Sequence, residues 1–452
     1  TITALVPESH APLFDMGRVC TTAGTYPPVK PRASRSRRVS DTIATCLSNG
    51  MRVVLVPDSV NPVVSFRIAS LGGKRFESPD NKGIMTFISH MLPRGAGGMD
   101  EVEIARRVEQ LGGRLKSYSG HDTIGIELTV FSRFASEGLH LLGTLFREPS
   151  FPEPQLERER DLVLNRIRTQ PDRPFDFAIK VFDETMFENH PYGYPKNGTP
   201  ETVARFTRQD LAAAHECVRD PSSTVIVGVG RMDTDRTLQT IERVFGDMSA
   251  ETAGFGDMPL EAPLVGIRTN TVTIPRAKAH LAVGFRAPTV THEDRYPMEV
   301  LNNILSGVGG RLFVQLRDRR SLAYLITAFY RPALDLGVLV IYLACESSRL
   351  NEAISALFGE IANVRSGRIN EKGLDNARRS IISGHKIRFQ SSWARAGKIA
   401  RDCLVGLGHE HANVLFDRVS EVSSEVLIAA IRKYLSLQNC AVAKIVPDDE
   451  DG

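Results

Sequence analysis

The chain has 452 residues, 42% of them hydrophobic and 24% charged, with a formal net charge of +3. These totals suit a globular protein with more than one core, and the charge is too small for a dedicated nucleic-acid surface. Six scattered cysteines form no C-x-x-C pair, which removes a disulfide framework and a cysteine-ligated zinc ribbon, and no apolar run approaches the ~20 residues of a membrane span.

In chain order, TITALVPES (1–9) reads as a strand followed by proline. A Pro-, Ser- and Arg-rich linker runs to about residue 40, and its basic cluster RASRSRR (32–38) reads as solvated. Strands are expected over 43–69, where TIATCLS and MRVVLVP flank Asn49-Gly50, a hairpin signal. Helices follow at 83–92 and 100–111, the second ended by Gly112-Gly113. Strands near 114–118 and 122–130 precede helices over 132–148 and 153–168.

The same order recurs. TVTIP and AHLAVGF (271–285) read as strands, and HEDRYPMEVLNNILSG and RLFVQLRD as helices. YLITAFYR and LGVLVIYLACE read as a strand pair, and two further helices begin at 350 and 373. An internal duplication is therefore expected, with units at 41–250 and 267–452 joined by a Gly- and Pro-containing linker at 251–266. The closing AVAKIVPDD echoes the opening TITALVPES, so the chain reads as the back part of a longer one. The glycines of GVGGR (307–311) lack a following Lys-Ser/Thr and read as a helix-start turn, not a phosphate loop.

GIMTFISHML (83–92) looks like a zinc-binding H-x-x-E-H helix stripped of most of its chemistry. In such a helix, residues i and i+4 share one face, so two imidazoles grip one ion and the intervening Glu activates the bound water. With LERERDLVLNRI (156–167), HPYGYPKNGTPETV (190–203) and GGRLFVQLRDRRSLAYLI (309–326), this stretch resembles the inverted-motif zinc peptidases, the pitrilysin, insulinase and mitochondrial processing peptidase group. The resemblance covers about 41–448 and implies an α+β fold. Each of two homologous sandwich units would be a mostly antiparallel or mixed six-stranded sheet with helices on one face.

Carried over by position, the resemblance puts the first metal His on Thr86, the base Glu on Ser89 and the third ligand on Arg166. Only His90, the second metal His, and Glu159 are kept, and an Asn-Ala pair on the substrate-facing strand is replaced by Lys116-Ser117. Thr and Ser are poor zinc ligands, and a guanidinium repels a dication. This chain is therefore expected to bind no cofactor, with zinc on a partner half or subunit carrying an intact H-x-x-E-H. His409 and His411 are two apart and cannot copy the i, i+4 grip, and the remaining histidines read as packed or surface imidazoles.

Arg317 and Tyr324, seven residues apart in LRDRRSLAY, match the family's Arg/Tyr pair. The resemblance implies that they touch bound peptide: a phenol donor stabilises the tetrahedral oxyanion, and a guanidinium holds carbonyl oxygens. Read without it, Arg317 pairs on a helix surface and Tyr324 packs at a strand start. Three functions stay open: the metal-free half of a zinc endopeptidase, inactive alone; a catalytically inert structural or core subunit derived from such a peptidase; and a peptidase with a rebuilt metal site, against which the lack of clustered ligands speaks. A soluble protein is expected, cytoplasmic rather than periplasmic, whose partners are the catalytic half and peptide substrate.

Overall fold

Nine-residue VVSFRIASL and ten-residue GVLVIYLACE are buried along almost their whole length, the mark of a strand covered on both faces. The computed structural model describes residues 42–249, 258–275, 278–307 and 309–448. The opening strand-like segment, the basic cluster 32–38 and linker residues 251–257 lie outside the described residues.

The first half runs β1 (Ile43–Cys46), β2 (Arg52–Pro57), β3 (Val63–Leu71), α1 (Ile84–Met91), the two-residue β4 (Gly95–Ala96) and β5 (Met99–Asp100), α2 (Glu101–Gln110), β6 (Arg114–Ser119) and β7 (Thr123–Phe131). It continues with α3 (Ala135–Arg147), α4 (Glu153–Arg168), α5 (Pro174–Met186), α6 (Pro200–Arg205), α7 (Arg208–Val218), β8 (Thr224–Gly230) and α8 (Thr234–Phe245). The second half begins with β9 (Ile267–Ile274), β10 (Lys278–Ala287), α9 (Arg295–Leu305), a π-helical turn at Phe313–Asp318, β11 (Leu325–Arg331) and β12 (Gly337–Glu346). It ends with α10 (Leu350–Arg365), α11 (Glu371–Arg388), α12 (Ser392–Leu404), α13 (His411–Ser420), α14 (Ser424–Tyr434) and β13 (Cys440–Pro447).

The first sheet has the order β1-β2-β8-β3-β7-β6, and the second β11-β12-β10-β13-β9. Only β2 with β8 and β9 with β13 are parallel; the other neighbours are antiparallel. Superposed on their parallel pairs, β9, β13, β10, β12 and β11 repeat β2, β8, β3, β7 and β6 in order and sense, as a duplication requires. The second sheet has five strands where six were expected, because among the described residues no strand pairs with β9 as β1 pairs with β2. Residues 260–265, which lead toward β9, have no regular structure. Within them, the Glu261 carboxylate accepts the backbone N–H groups of Glu188, Asn189 and His190 at 2.9–3.1 Å.

The Asn49-Gly50 turn joins β1 and β2 through a longer loop than the two-residue hairpin its sequence suggests. The Asn49 side chain is committed elsewhere: it donates to the carbonyls of Phe245 and Met248 at 2.7 and 3.2 Å, pinning the turn to the end of α8. Gly50 takes φ 89°, a left-handed value open to glycine.

Helices were expected on one face of each sheet, yet both faces are covered. The second cover is exchanged between halves. Helix α5 leaves the first half and packs on β13, β10 and β9, and α12 leaves the second half and packs on β3 and β8. Gly284 on β10 makes room for α5, since a Cβ there would lie 2.4 Å from the Phe182 ring. Phe175 stacks edge-on against Tyr342 of β12 at 4.9 Å between ring centroids. On the other side, Ser392 shares a hydrogen bond with Ser65 at 2.9 Å, and Arg52 donates to the Cys403 carbonyl at 2.6 Å. One apolar cluster therefore runs from the first sheet into the inner face of the second, and the outer face of the second sheet forms another with its own helices.

Polar contacts lock the same seam. Arg331 of β11 grips both carboxylate oxygens of Asp183 on α5, one at 3.0 Å, and all three of Asp183, Arg331 and Lys74 are buried. Asp335, between β11 and β12, accepts from Arg75 at 3.2 Å and lies 2.9 Å from the His190 imidazole. No helix among the described residues is long and apolar enough to cross a membrane.

Because each half supplies a cover for the other, the chain should unfold in denaturant in one transition, with the fluorescence of Trp393, the sole tryptophan, tracking far-UV circular dichroism. Asp183→Ala strands two buried cations and should lower stability by about 3 kcal/mol, read from the denaturation midpoint. Two separate transitions in the unaltered chain would show that the exchanged helices do not couple the halves.

Candidate functional site

Helix α1 is set by its N-terminus. Gly83, at φ 90°, starts it in the left-handed region. A Cβ there would lie 2.4 Å from the Gly198 nitrogen, so the HPYGYPKNGTPETV turn can press against the helix start. Thr202 Oγ1 donates to the Lys82 carbonyl at 2.9 Å and closes this brace. The Glu77 carboxylate accepts the N–H groups of Gly83 and Met85 at 2.8 and 3.1 Å, satisfying donors the helix leaves free. Burial dominates Glu77 and lifts its carboxyl to about 8, against the opposing pull of those two N–H groups and of Lys74.

On α1, Thr86 and His90 share the face that lines a cavity, as i, i+4 spacing dictates. Ser89 is buried, and its hydroxyl turns back onto the helix to donate to the Thr86 carbonyl at 2.7 Å. No acid or base stands where the water-activating Glu would be. From α4, Arg166 and Glu159 reach the same place. Glu159 is 2% exposed, and its Oε1 lies 3.0 Å from His90 Nδ1 and 2.9 Å from Arg166 Nη1. Its other oxygen lies 3.4 Å from Arg94. Arg166 can only donate, and the carboxylate is the stronger acceptor for the Nδ1 proton, so both groups converge on Glu159. Burial works to raise the Glu159 carboxyl, but the His90 hydrogen bond and the Arg166 charge win and hold it below its ordinary value.

This donor set does not fit zinc. A dication beside His90 would meet the guanidinium that already sits 3.2 Å from the imidazole nitrogen. Thr86 and Ser89 offer hydroxyls in place of an imidazole and a carboxylate. Among the described residues no group of three or more His, Cys, Asp or Glu is placed to hold a metal ion.

The cavity beside this cluster measures about 340 Å³. Thr86, His90 and Arg166 bound one part, α5 supplies Phe175, Ile179 and Asp183, and β11 of the second half supplies Phe329 and Arg331. Lys74 and Lys196 also line it. Sequence reasoning missed Lys74, Asp183, Lys196 and Arg331 as site residues. They are separated by up to 257 positions and carry no shared motif; the exchange of α5 brings them together.

The Arg/Tyr segment lies elsewhere. Neither Arg317 nor Tyr324 lines the cavity. Arg317 is exposed on the π-helical turn with its guanidinium 4.7 Å over the Phe313 ring. Tyr324 is 45% exposed at the start of β11, an edge strand. Its phenol donates to Glu346 at 2.6 Å, which raises its pKa above the ordinary value, and the Lys278 ammonium lies 4.3 Å from its ring centroid. Among the described residues no hydrogen bond or cation–π contact joins Arg317 to Tyr324. Lys116, at the expected substrate-facing position, lies on the edge strand β6 with its ammonium 4.8 Å over Trp393 of α12.

The comparisons agree with this architecture. Residues 52–199 match the family model described as "Insulinase (Peptidase family M16)", and 205–381 match "Peptidase M16 inactive domain". An uncharacterized zinc protease of Bacillus subtilis (strain 168) is 26% identical over 404 residues, covering 89% of this chain and 97% of the relative. A Helicobacter pylori protease superposes with TM-score 0.83 at 18% identity, covering 91% of this chain and all of that one. The periplasmic protease PqqL of Escherichia coli superposes with TM-score 0.78 at 16% identity, covering 94% of this chain but 47% of PqqL. With the insulinase-type model on its first half, the M16 inactive-domain model running from 205 into its second as far as 381 and the duplicated sheets described above, this chain belongs to peptidase family M16.

Proposed function

We propose that this chain is the metal-free half of an M16 endopeptidase. It encloses peptide substrate and presents Arg317 and Tyr324 to a zinc site on a partner half, in the same polypeptide or a separate subunit, that carries the intact H-x-x-E-H. In this reading the partner supplies the hydrolytic metal and the water-activating glutamate, and 41–250 and 267–452 are the duplicated units. The observation that carries it is the Arg166–Glu159–His90 cluster, which fills the place of a metal site with a permanent cation. Further support comes from the exposure of Arg317 and Tyr324, which leaves both open to an approaching partner. That the chain spans about half the length of PqqL fits one half of a larger enclosure.

The chemistry asked of the two side chains is limited. A phenol O–H directed at the carbonyl oxygen stabilises negative charge as it develops, and the Arg317 guanidinium holds a neighbouring peptide carbonyl in register. The Tyr324 hydrogen bond to Glu346 must open for this, and it favours a second reading in which the chain is an inert structural subunit and the phenol only fastens β11 to β12.

Tyr324→Phe separates the two readings. In the reconstituted assembly it should lower kcat about a hundredfold with little change in KM; unchanged kcat would leave the structural reading. Metal content tests the cluster itself. After incubation with zinc and desalting, the unaltered chain should retain far less than one equivalent by atomic emission, whereas Thr86→His combined with Arg166→Glu should retain about one. Stoichiometric zinc in the unaltered chain would defeat the proposal.

A further inference from the structure

We infer that the cavity between α1, α5 and β11 is a receptor for the carboxylate of a peptide, either its C-terminus or an acidic side chain. The charge on its wall is out of balance. Six of the lining side chains are lysine or arginine and two are aspartate. At its base two buried cations share one buried carboxylate: Lys74, Arg331 and Asp183 are 7%, 4% and 6% exposed. Arg331 occupies both Asp183 oxygens. Lys74 Nζ is left 3.8 Å from the nearer one, beyond hydrogen-bond distance, and makes no hydrogen bond to the described residues. Arg331 Nε is buried without a partner. Glu77 is the other carboxylate close to Lys74, and it is spent on the N-terminus of α1 with its carboxyl pushed up to about 8, so at neutral pH it offsets little of the surplus. Burial and the neighbouring Arg331 pull the Lys74 ammonium below its ordinary pKa although Asp183 opposes them.

A buried ammonium that must share its carboxylate with a guanidinium is incompletely matched, and a bound carboxylate is the group that would complete the match. At the mouth, Arg166 spends one Nη on Glu159, and Lys196 makes no ion pair among the described residues. The rest of the wall chooses among anions. Phe175, Ile179 and Phe329 give it apolar surface, and about 340 Å³ far exceeds what a lone phosphate fills. An ion carried on an organic chain with apolar neighbours fits, and a peptide end has that composition. The choice of peptide over other organic acids rests on the proposed role as a substrate-enclosing half; the charge imbalance does not.

The test is isothermal titration calorimetry on the purified full chain, with unlabelled N-acetylated Ala-Ala-Phe-Ala-Glu bearing a free C-terminus. Amidation of the terminus, replacement of Glu by Gln, or the two together should weaken binding, the fully neutral peptide by at least about tenfold. Loss on amidation alone assigns the terminal carboxylate, and loss on Gln alone the side chain. Lys196→Gln, near the mouth, should weaken the acidic peptide about tenfold without moving the unfolding transition. Lys74→Met supplies an independent reading: relieved of an incompletely matched charge, the free chain should melt at a higher temperature while binding the acidic peptide more weakly. Equal binding of the neutral peptide, or a lower melting temperature for Lys74→Met with unchanged binding, would overturn the inference. Binding of inorganic phosphate with none of the peptides would overturn the peptide assignment and leave the peptidase-half role to the Tyr324→Phe result.

Discussion

Asp183 stands where helix α5, supplied by the first half, meets the second sheet, and its carboxylate is gripped by Arg331 from β11 with Lys74 behind it. The pairing carries unusual weight because all three groups are out of water. Coulomb attraction there is strong, and so is the penalty for a wrong match. It ties the helix to the foreign sheet at one register, and the apolar contacts of Phe175 and Phe182 follow from that placement. The reciprocal crossing of α12 onto β3 and β8 closes the exchange, so neither sheet can be fully buried without the other half.

The same seam defines the cavity. An M16 unit with its zinc ligands intact collects negative and neutral donors around a cation. Here the polarity is reversed: a guanidinium lies against the retained imidazole, and lysines and arginines outnumber acids around the adjoining space. Glu159 shows how the reversal is stabilised. Buried, it would favour protonation if left alone, and it is held ionised by His90, Arg166 and Arg94 converging on its two oxygens. Retention of that glutamate is thus explained by local charge matching, with no metal needed.

The two halves also differ in how they end their sheets. The first extends past β2 with β1, fastened by Asn49 to the end of α8. The second stops at β9, and the chain leading into it uses Glu261 to cap the backbone of Glu188 to His190 in the other half. A duplicated unit has exchanged an edge strand for another tie across the seam.

Much of this was legible in the sequence. The strands around Asn49-Gly50, the helix expected over 83–92, the repeat of elements after the linker and the residue types at Thr86, Ser89 and Arg166 all depend on residue identity and on short patterns along the chain, and those are local properties. The bulk of each motif fell where its spacing indicated. What the sequence could not decide was which surface each helix covers. The segments PFDFAIKVFDETM and SWARAGKIARDCL went unassigned, and even read as amphipathic helices they would announce one apolar face without naming the sheet that receives it. The crossing of α5 and α12, and with it the meeting of Lys74, Asp183, Lys196 and Arg331 in one cavity, was decided by tertiary packing alone. Nonlocal burial joins residues that no period along the chain relates.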